Sequence, residues 1–371
     1  MEFTISRNTF LKSLSHAYGI IEKKTTLPIL SNILIEAKDS KIRITATDLD
    51  IIYTEEIPLQ ELKKEGSTTT SASIIYDILR KLEPNTKVEL FLQSANKLKL
   101  VSGNSKFNLL CLSPDNFPLS DEDIKQKTFE VSSKKMLKLL NKTKISISND
   151  ETRHYLNGIY LHKINIENKS FLSSVATDSH RLSSSRLEID SNTDFESIIL
   201  PKKTIFQLIS LLEQSTSAIK ISNNKSKIKF EIDSGVLISK VIDGRFPDYS
   251  KVVPIDNVKI LQIKLNEFKN SIERVTTVSS DRKEGLKMNI SKDFLQLSVN
   301  SPNSGEGIES INAIFNSDDM DISFNSRYLI EIASQIENDL IIINLKDAAS
   351  PVLIKDMSDK NSFHVVMPMK I

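Results

Sequence analysis

Cysteine, tryptophan and glycine are scarce or missing in this chain of 371 residues. Its single cysteine, Cys111, excludes an internal disulfide framework and a cysteine-rich metal site, and it suits a reducing compartment. Nine glycines are too few and too scattered for a glycine-rich phosphate loop. The five histidines show no metal-ligand spacing either. We therefore expect no bound metal and no cofactor.

The chain also lacks an excess of charge and any long apolar run. Its 49 Lys and Arg residues face 48 Asp and Glu residues, so the net charge is only +1. A protein that coats nucleic acid by being basic overall is thereby excluded, and any DNA contact needs cations gathered on one surface. With no apolar stretch of about 18 residues and no leader-like start at Met1–Thr4, we expect a cytoplasmic protein with no membrane contact.

What the sequence does contain is a threefold repeat. The segments Ile5–Leu14, Val131–Leu140 and Ile263–Ile272 each begin with an extended β-branched residue and continue with apolar residues four apart. This spacing predicts an amphipathic helix in each copy. The predicted N-caps are Ser6, Ser132 and Asn266. Because one hydrophobic core seldom serves so long a chain, the repeat predicts three domains.

Each copy continues with a hairpin and a second helix. The predicted hairpin turns lie at residues 38–40, 167–169 and 291–293, and the predicted second helices span residues 73–82, 201–209 and 326–332. More alternating strands close each copy, so the fold class is α+β with mostly antiparallel pairing. Acidic or proline-containing linkers set the domain boundaries at 1–125, 126–254 and 255–371.

Two arrangements of residues could be interpreted as catalytic. Asp48 and Asp178 end the repeated Ala-Thr-Asp triplets and could act as paired carboxylates of a hydrolase or nuclease; a turn-capping role is the alternative, and we favour it because both occupy the same place in the repeat. Ser179 and His180 could form a nucleophile and its base. Adjacent residues of a strand point to opposite faces, so this second arrangement is poor.

Four stretches carry a family resemblance. They are Tyr155-Leu156-Asn157-Gly158, Ala176–Leu182, Asp243–Tyr249 and Val365–Ile371, in that order along the chain. Together they resemble the bacterial DNA sliding clamp, the beta subunit of the replicative DNA polymerase. The resemblance covers the whole length and implies a non-catalytic processivity factor. It also implies a head-to-tail homodimer of three-domain chains that forms a six-domain ring around duplex DNA.

The resemblance further implies a pocket between the second and third domains that binds the replicative polymerase catalytic subunit, the clamp loader and other clamp-binding-motif proteins, including repair proteins. The pocket residues it implies are Leu156, Thr177, Ser179, His180, Arg181, Leu182, Pro247, Lys251, Val252, Asn325, Tyr328, Val366, Met367, Pro368, Met369 and Lys370. Apolar walls with methionines suit short Leu and Phe anchors from several partners. Ser179 stands where the family often has Gly, and Lys370 where it has Arg.

Sequence-independent DNA contact is implied for Lys23, Lys24, Arg80, Asn149, Arg153, His154, Tyr155 and Lys202. Basic residues off the apolar stripes of the repeated helices support a positive surface, and they are Arg7, Lys12, Arg80, Lys81, Lys134, Lys135, Lys138, Lys202, Lys203, Lys269, Arg274 and Arg327. The implied dimer interface sets Phe107 and Leu109 against Thr277 and Val278, with Glu306 and Glu309 nearby. A resistance paralogue of the clamp remains an alternative to the replicative protein.

Overall fold

The computed structural model describes residues 1–22, 26–119, 124, 127–279 and 285–370. Six α-helices lie within these ranges: α1 Arg7–Tyr18, α2 Ala72–Lys81, α3 Ser133–Lys144, α4 Lys202–Leu212, α5 Leu265–Val275 and α6 Ser326–Ala333. All three predicted second helices are confirmed, each starting within one residue of the expected position. In the first helices the predicted apolar pairs Phe10/Leu14, Met136/Leu140 and Phe268/Ile272 are buried.

The strands outnumber the helices in each third of the chain. The first third has β1 Glu2–Ser6, β2 Asn32–Lys38, β3 Lys41–Thr47, β4 Ile51–Pro58, β5 Glu61–Lys64, β6 Gly66–Ser71, β7 Lys87–Ser94, β8 Lys97–Ser102 and β9 Ser105–Leu112. The middle third has β10 Phe129–Ser132, β11 Gly158–Ile166, β12 Lys169–Thr177, β13 Arg181–Ile189, β14 Ile198–Pro201, β15 Ala218–Asn223, β16 Lys227–Ile232 and β17 Gly235–Lys240. The last third has β18 Lys259–Lys264, β19 Gly285–Ile290, β20 Phe294–Ser301, β21 Gly305–Phe315, β22 Met320–Asn325, β23 Leu340–Leu345, β24 Val352–Asp356 and β25 Asp359–Val366.

The three predicted hairpins are β2–β3, β11–β12 and β19–β20, all antiparallel. In the first two, the residue pairs Asp39-Ser40 and Glu167-Asn168 adopt positive φ between 47° and 64°. Short two-residue turns of this hand match the twist of the paired strands, and Asn and Asp tolerate the conformation well. The α+β class with antiparallel sheets is confirmed.

One predicted helix start is wrong. Helix α5 begins at Leu265 with Lys264 as its N-cap, so Asn266 lies inside the first turn instead of capping it. Ser6 is the N-cap of α1, although its hydroxyl makes no cap hydrogen bond, and Ser132 directly precedes α3. The first turn of α5 is therefore held without the side-chain cap that the sequence pattern predicts.

Contacts divide the chain into two compact units. The first unit comprises Met1–Leu137, Thr193–Glu196 and Lys203–Val241, and the second comprises Lys138–Asn192, Ser197–Lys202 and Ile242–Ile371. The division cuts through the middle third because its strands enter two sheets. Strands β10 and β15–β17 join the 13-stranded sheet of the first unit, whereas β11–β14 join the 12-stranded sheet of the second.

The second unit contains a large apolar core. Phe268, Phe324, Leu286 and Leu297 are fully buried in it, and helices α5 and α6 pack there with strands β18–β23. A smaller cluster in the same unit lies under the β12–β13 turn and includes Leu156, Leu182, Phe246 and Val365. This second cluster supports the surface that carries most of the predicted site residues.

Candidate functional site

The site is built on the turn between β12 and β13, where Asp178 fixes the backbone. Its Oδ1 accepts hydrogen bonds from the amides of His180 and Arg181, both at 3.0 Å. The hydroxyl of Thr177 donates to the carbonyl of Arg181 at 2.7 Å and accepts from the amide of Ser179 at 3.1 Å. Four hydrogen bonds thus hold a turn in which Ser179 adopts a φ of 76°.

The first unit repeats this turn between β3 and β4. Asp48 Oδ1 accepts from the amides of Asp50 at 2.9 Å and Ile51 at 2.7 Å, and Leu49 has a φ of 79°. The turn-capping role predicted for both aspartates is confirmed. Each Oδ1 is committed to two backbone amides of its own turn, which leaves little reason to interpret the aspartates as a catalytic pair.

Beside the β12–β13 turn lies a cavity of about 220 Å³. Eight of the predicted pocket residues line it: Thr177, Ser179, His180, Arg181, Leu182, Pro247, Val252 and Met367. Asp248, Tyr249 and Val365 also line it and were not predicted, although all three stand within the sequence stretches that carry the family resemblance. Leu182 and Val365 form a buried base, whereas the Val252 and Met367 side chains stay about half exposed.

Strand pairing explains how the chain terminus reaches this cavity. Strand β25 pairs antiparallel with β13, which sets Leu182 opposite Val365 and Arg181 opposite Val366. The amide of Met367 then donates to the carbonyl of His180 at 2.8 Å. The methionine therefore lies against the turn that Asp178 holds, and the cavity depends on both chain segments.

Eight predicted pocket residues do not line the cavity. Val366 does not line it because successive strand residues face opposite sides, so it is buried in the large core while Val365 faces the cavity. Leu156 lies in the apolar cluster beneath the base. Lys251 is exposed and pairs with Asp248 at 3.4 Å. The remaining five are Asn325, Tyr328, Pro368, Met369 and Lys370.

Those five residues lie around α6 and the chain terminus. Asn325 caps α6 by accepting from the amide of Arg327 at 3.0 Å. The amide of Met369 donates to the carbonyl of Ser323 at 2.7 Å, which holds Pro368 and Lys370 along β22. The Tyr328 ring lies 4.2 Å beneath the guanidinium carbon of Arg181. Since Arg181 lines the cavity, this surface adjoins it.

Arg181 is the electrostatic centre of the site. Its buried guanidinium contacts Asp178 Oδ2 at 3.1 Å and Glu331 Oε2 at 2.5 Å. Burial opposes ionisation of Glu331, but hydrogen bonds from Arg327 and Arg181 outweigh it and lower the pKa of that carboxyl. Burial and the charge of Asp178 raise the pKa of Tyr328. These ion pairs fix the position of Arg181 in the cavity wall. The charged atoms of Arg181, Asp178 and Glu331 already have partners within the chain.

Only some of the residues predicted to contact DNA lie together on one surface. Asn149, Arg153, His154, Tyr155 and Lys202 belong to one surface of the second unit, where Lys202 donates to the Asn149 side chain. Arg153 donates to Asp150 Oδ2 at 2.8 Å and to Ser179 Oγ at 2.7 Å, so it joins this surface to the cavity turn.

The remaining predicted DNA contacts lie elsewhere. Arg80 is exposed on α2 of the first unit and pairs with Asp77 at 3.3 Å. Lys23 and Lys24 lie outside the described residues.

Several basic residues of the repeated helices are already paired with carboxylates. Lys203 contacts Asp48 at 2.5 Å and Glu22 at 2.8 Å, and Lys138 contacts Glu337 at 2.9 Å and Asp359 at 3.2 Å. Arg274 pairs with Glu309 and Arg327 with Glu331. The predicted positive helix faces therefore carry less uncompensated charge than the sequence pattern suggests.

The predicted interface residues lie on two strands and one turn. Phe107 and Leu109 are on β9, Glu306 and Glu309 are on β21, and Thr277 and Val278 form a short 3-10 turn after α5. Leu109 is buried in its own sheet, with only 6% of its surface exposed, whereas its neighbour Leu110 is 84% exposed. Leu112 at the end of the same strand is 42% exposed as well.

The described ranges carry neither a metal-binding cluster nor a membrane-spanning helix. Within them, no group of three or more His, Cys, Asp or Glu residues could hold a metal ion. None of the helices described there is long and apolar enough to cross a membrane.

The chain matches known proteins along its length. Family models of the DNA polymerase III beta subunit match residues 1–121 (N-terminal domain), 130–248 (central domain) and 250–370 (C-terminal domain). Beta sliding clamps of Caulobacter vibrioides and Escherichia coli are 34% and 29% identical to it, each over all of both chains.

Solved structures agree in fold. A DNA polymerase III subunit beta sliding clamp of Bartonella birtlesii, bound to griselimycin, is 37% identical, covers all of both chains and superposes with a TM-score of 0.96. The DNA polymerase III subunit beta of Pseudomonas aeruginosa is 28% identical over all of both chains, with a TM-score of 0.92. The chain belongs to the beta sliding clamp family, the non-catalytic processivity factors of bacterial DNA polymerase III.

Proposed function

We propose that this chain forms a homodimeric ring around duplex DNA and tethers partner proteins through the cavity beside the β12–β13 turn. The observation that carries the proposal is the apolar lining of that cavity, to which Leu182, Pro247, Val252, Val365 and Met367 contribute. A hollow of about 220 Å³ suits one or two short apolar side chains. The half-exposed methionine can adjust to different anchors, which suits a site shared by several partners.

The chemistry of the same cavity favours binding over catalysis. A nucleophile would need a base within hydrogen-bond reach. Ser179 Oγ instead accepts a hydrogen bond from Arg153, and Asp178 is held by backbone amides and Arg181. Asp178 and Glu331 are ion-paired with Arg181, and Glu331 also with Arg327, so neither carboxylate is available as a base. The partners are then the replicative polymerase catalytic subunit, the clamp loader and repair proteins that carry an exposed apolar motif.

Two exposed valines provide a matched test of the cavity. Val252 lines it and is 51% exposed, whereas Val258, six residues later, does not line it and is 75% exposed. Val252→Asp should weaken binding of a synthetic peptide with Leu and Phe anchors by about tenfold or more, because the anchor would meet a charge in an apolar hollow. Fluorescence anisotropy measures the dissociation constant.

Val258→Asp is the control and should bind the peptide as the unchanged chain does. Equal weakening by both substitutions, or by neither, would count against the cavity as the tethering site.

For the dimer we propose an antiparallel or parallel addition of strand β9 of one copy to β21 of another. Residues 105–110 of β9 pair with β8 and residues 305–312 of β21 pair with β20, so within the described chain each has a free edge there. Exposed Leu110 and Ile308 lie on these strands. Unpaired strand edges with apolar side chains are ready to join another strand.

For DNA we propose phosphate contacts by Lys23, Lys24, Arg80, Asn149, Arg153, His154, Tyr155 and Lys202. Clustering of five of these polar residues on one surface supports this role, since phosphate contacts need no base readout. We further propose domain boundaries at 1–125, 126–254 and 255–371, and a cytoplasmic location.

A further inference from the structure

A groove of about 590 Å³ crosses the second unit next to the tethering cavity. It lies over strands β11, β12, β13, β25, β24 and β23, and none of the predicted site residues lines it. Tyr249 lines both the groove and the tethering cavity. Its hydroxyl lies 3.0 Å from His162 Nε2, so its ring is held at their junction.

The groove continues the cavity along one face of two paired strands. On β13, Leu182 lines the cavity while Ser184 and Arg186 line the groove; on β25, Val365 lines the cavity and Phe363 the groove. Leu182 pairs with Val365 and Ser184 with Phe363. Residues two apart face the same side, so the four-residue step from Leu182 to Arg186 extends the surface by about 13 Å.

The rim of the groove is cationic. Lys355 and Lys360 are exposed, and neither makes an ion pair with another described residue. Arg186 donates to Asn361 Oδ1 at 3.1 Å, a neutral partner, so its charge also stays uncompensated. Three cations that line one groove suit a chain of several anionic groups.

The two carboxylates in the lining do not cancel this charge. Asp359 contacts Lys138 at 3.2 Å, and Asp356 contacts Lys142 at 3.7 Å. Each also accepts hydrogen bonds from backbone amides, of Asn361 for Asp359 and of Glu337 and Ser358 for Asp356. Glu337 also pairs with both lysines of α3, so the five cations of this region face three carboxylates. The surplus of two positive charges leaves the outer rim with a positive field.

We propose that the groove binds an acidic stretch of a partner protein whose apolar anchor fills the adjoining cavity. The proposal rests on the tethering function proposed above and names a feature of the partners: Asp or Glu residues next to the anchor. An acidic peptide fits better than a nucleic acid strand because the groove is continuous with the apolar cavity and its base contains Phe363 and Ile342 among serines. An extended segment of about four residues spans it.

The test compares peptides that differ only beside the anchor. A synthetic peptide with Leu and Phe anchors is prepared alone, with four Asp residues added at one end or the other, and with four Asn residues at the same places. At low salt, the Asp extension at one end should tighten binding about fivefold, and the Asn extension should not. The gain should vanish at high salt, because the rim charges are exposed.

Lys355→Ala/Lys360→Ala should remove the gain and leave binding of the unextended peptide unchanged. The matched control is Lys292→Ala/Lys346→Ala, which removes two exposed lysines outside the groove and should retain the gain. A gain that persists in the groove variant, or an equal gain from Asn, would overturn the proposal. So would labelled oligo-dT binding that needs Lys355 and Lys360 while the Asp extension has no effect.

The two proposals fail in different ways. If the unextended peptide binds and the Asp extension adds nothing at either end, the groove is wrong and the tethering function stands. If no peptide binds the unchanged chain, the tethering function is contradicted and the groove proposal falls with it.

Discussion

Asp178 and Asp48 make the same turn in two places, and the turn at Asp178 borders the tethering cavity. Asp178→Ala should lower the free energy of unfolding by about 1–3 kcal/mol, because two backbone amides and Arg181 lose their acceptor. Peptide binding should fall as well, since His180 and Arg181 line the cavity. Urea unfolding and peptide anisotropy measure the two effects.

Asp48→Ala is the matched control in the first unit. It also removes two amide acceptor contacts and an ion pair, to Lys203. We expect a similar loss of stability with unchanged peptide affinity. Unchanged peptide binding by Asp178→Ala would show that the cavity does not depend on this turn.

His364 makes the free energy of unfolding of the second unit depend on pH. The side chain is fully buried, with Nδ1 2.8 Å from Ser183 Oγ. Burial, together with the nearby charges of Lys142 and Arg181, lowers its pKa from 6.5 to about 3. Between these values the unfolded chain binds a proton that the folded chain does not, so folding loses free energy as pH falls below 6.5.

The loss should approach about 1.4 kcal/mol per pH unit well below pH 6.5. His364→Asn removes this contribution, so its stability should fall less steeply between pH 6.5 and 5 when urea unfolding is followed. His180→Asn, which replaces an exposed histidine, controls for the loss of one histidine. Identical slopes for His364→Asn and the unchanged chain would refute the assignment.

Val365 and Val366 show that the sequence can predict which segment reaches the cavity but not which of two adjacent residues lines it. The family resemblance places the right stretch at the cavity, yet a shift of one residue moves a strand side chain to the other face. The sequence reads Val-Val there, so its pattern does not say which valine faces which side. Only the pairing of β25 with β13 decides it. Leu109 and Leu110 on β9 pose the same ambiguity, for the same reason.

At the scale of elements, local patterns predict the hairpins and helices well. Turn residues at 38–40 and 167–169 and four-residue apolar spacing are local properties, and the structure follows them. The predicted N-cap role of Asn266 is wrong because α5 follows β18 directly, so the pairing of that strand decides where the helix begins. The groove beside Tyr249 could not be predicted, because it needs six strands to lie side by side.

The free edge of β9 leads to a prediction about assembly. Leu110→Asp should convert a dimer into monomers, because a charge on an exposed edge strand opposes pairing with a second copy. Native mass spectrometry should give about twice the chain mass of 41.8 kDa for the unchanged protein and that mass for the variant.

Val258→Asp, which adds the same charge at a residue 75% exposed, should stay dimeric. A dimeric Leu110→Asp, or a monomeric unchanged chain at micromolar concentration, would contradict the strand-edge interface.

At the scale of the whole molecule, positive and negative charges are nearly equal in number, and several basic side chains are ion-paired within the chain. The net charge is +1, and Lys138, Lys203, Arg274 and Arg327 pair with carboxylates. Direct affinity for linear duplex should therefore be weak and salt-sensitive. A protein of this kind must hold DNA by enclosing it if it is to act over long distances.

Enclosure predicts a difference between DNA molecules of the same sequence. After loading by the clamp loader with ATP, the protein should stay on closed circular DNA and leave once a single cut makes the circle linear. Blocking both new ends with bound protein should restore retention, since the ring could no longer slide off. Lys202→Ala should lower the salt slope of direct binding by about one, yet leave retention on circles intact, because topology and not phosphate affinity holds the ring. Escape from circles as fast as from cut DNA would rule out a closed ring.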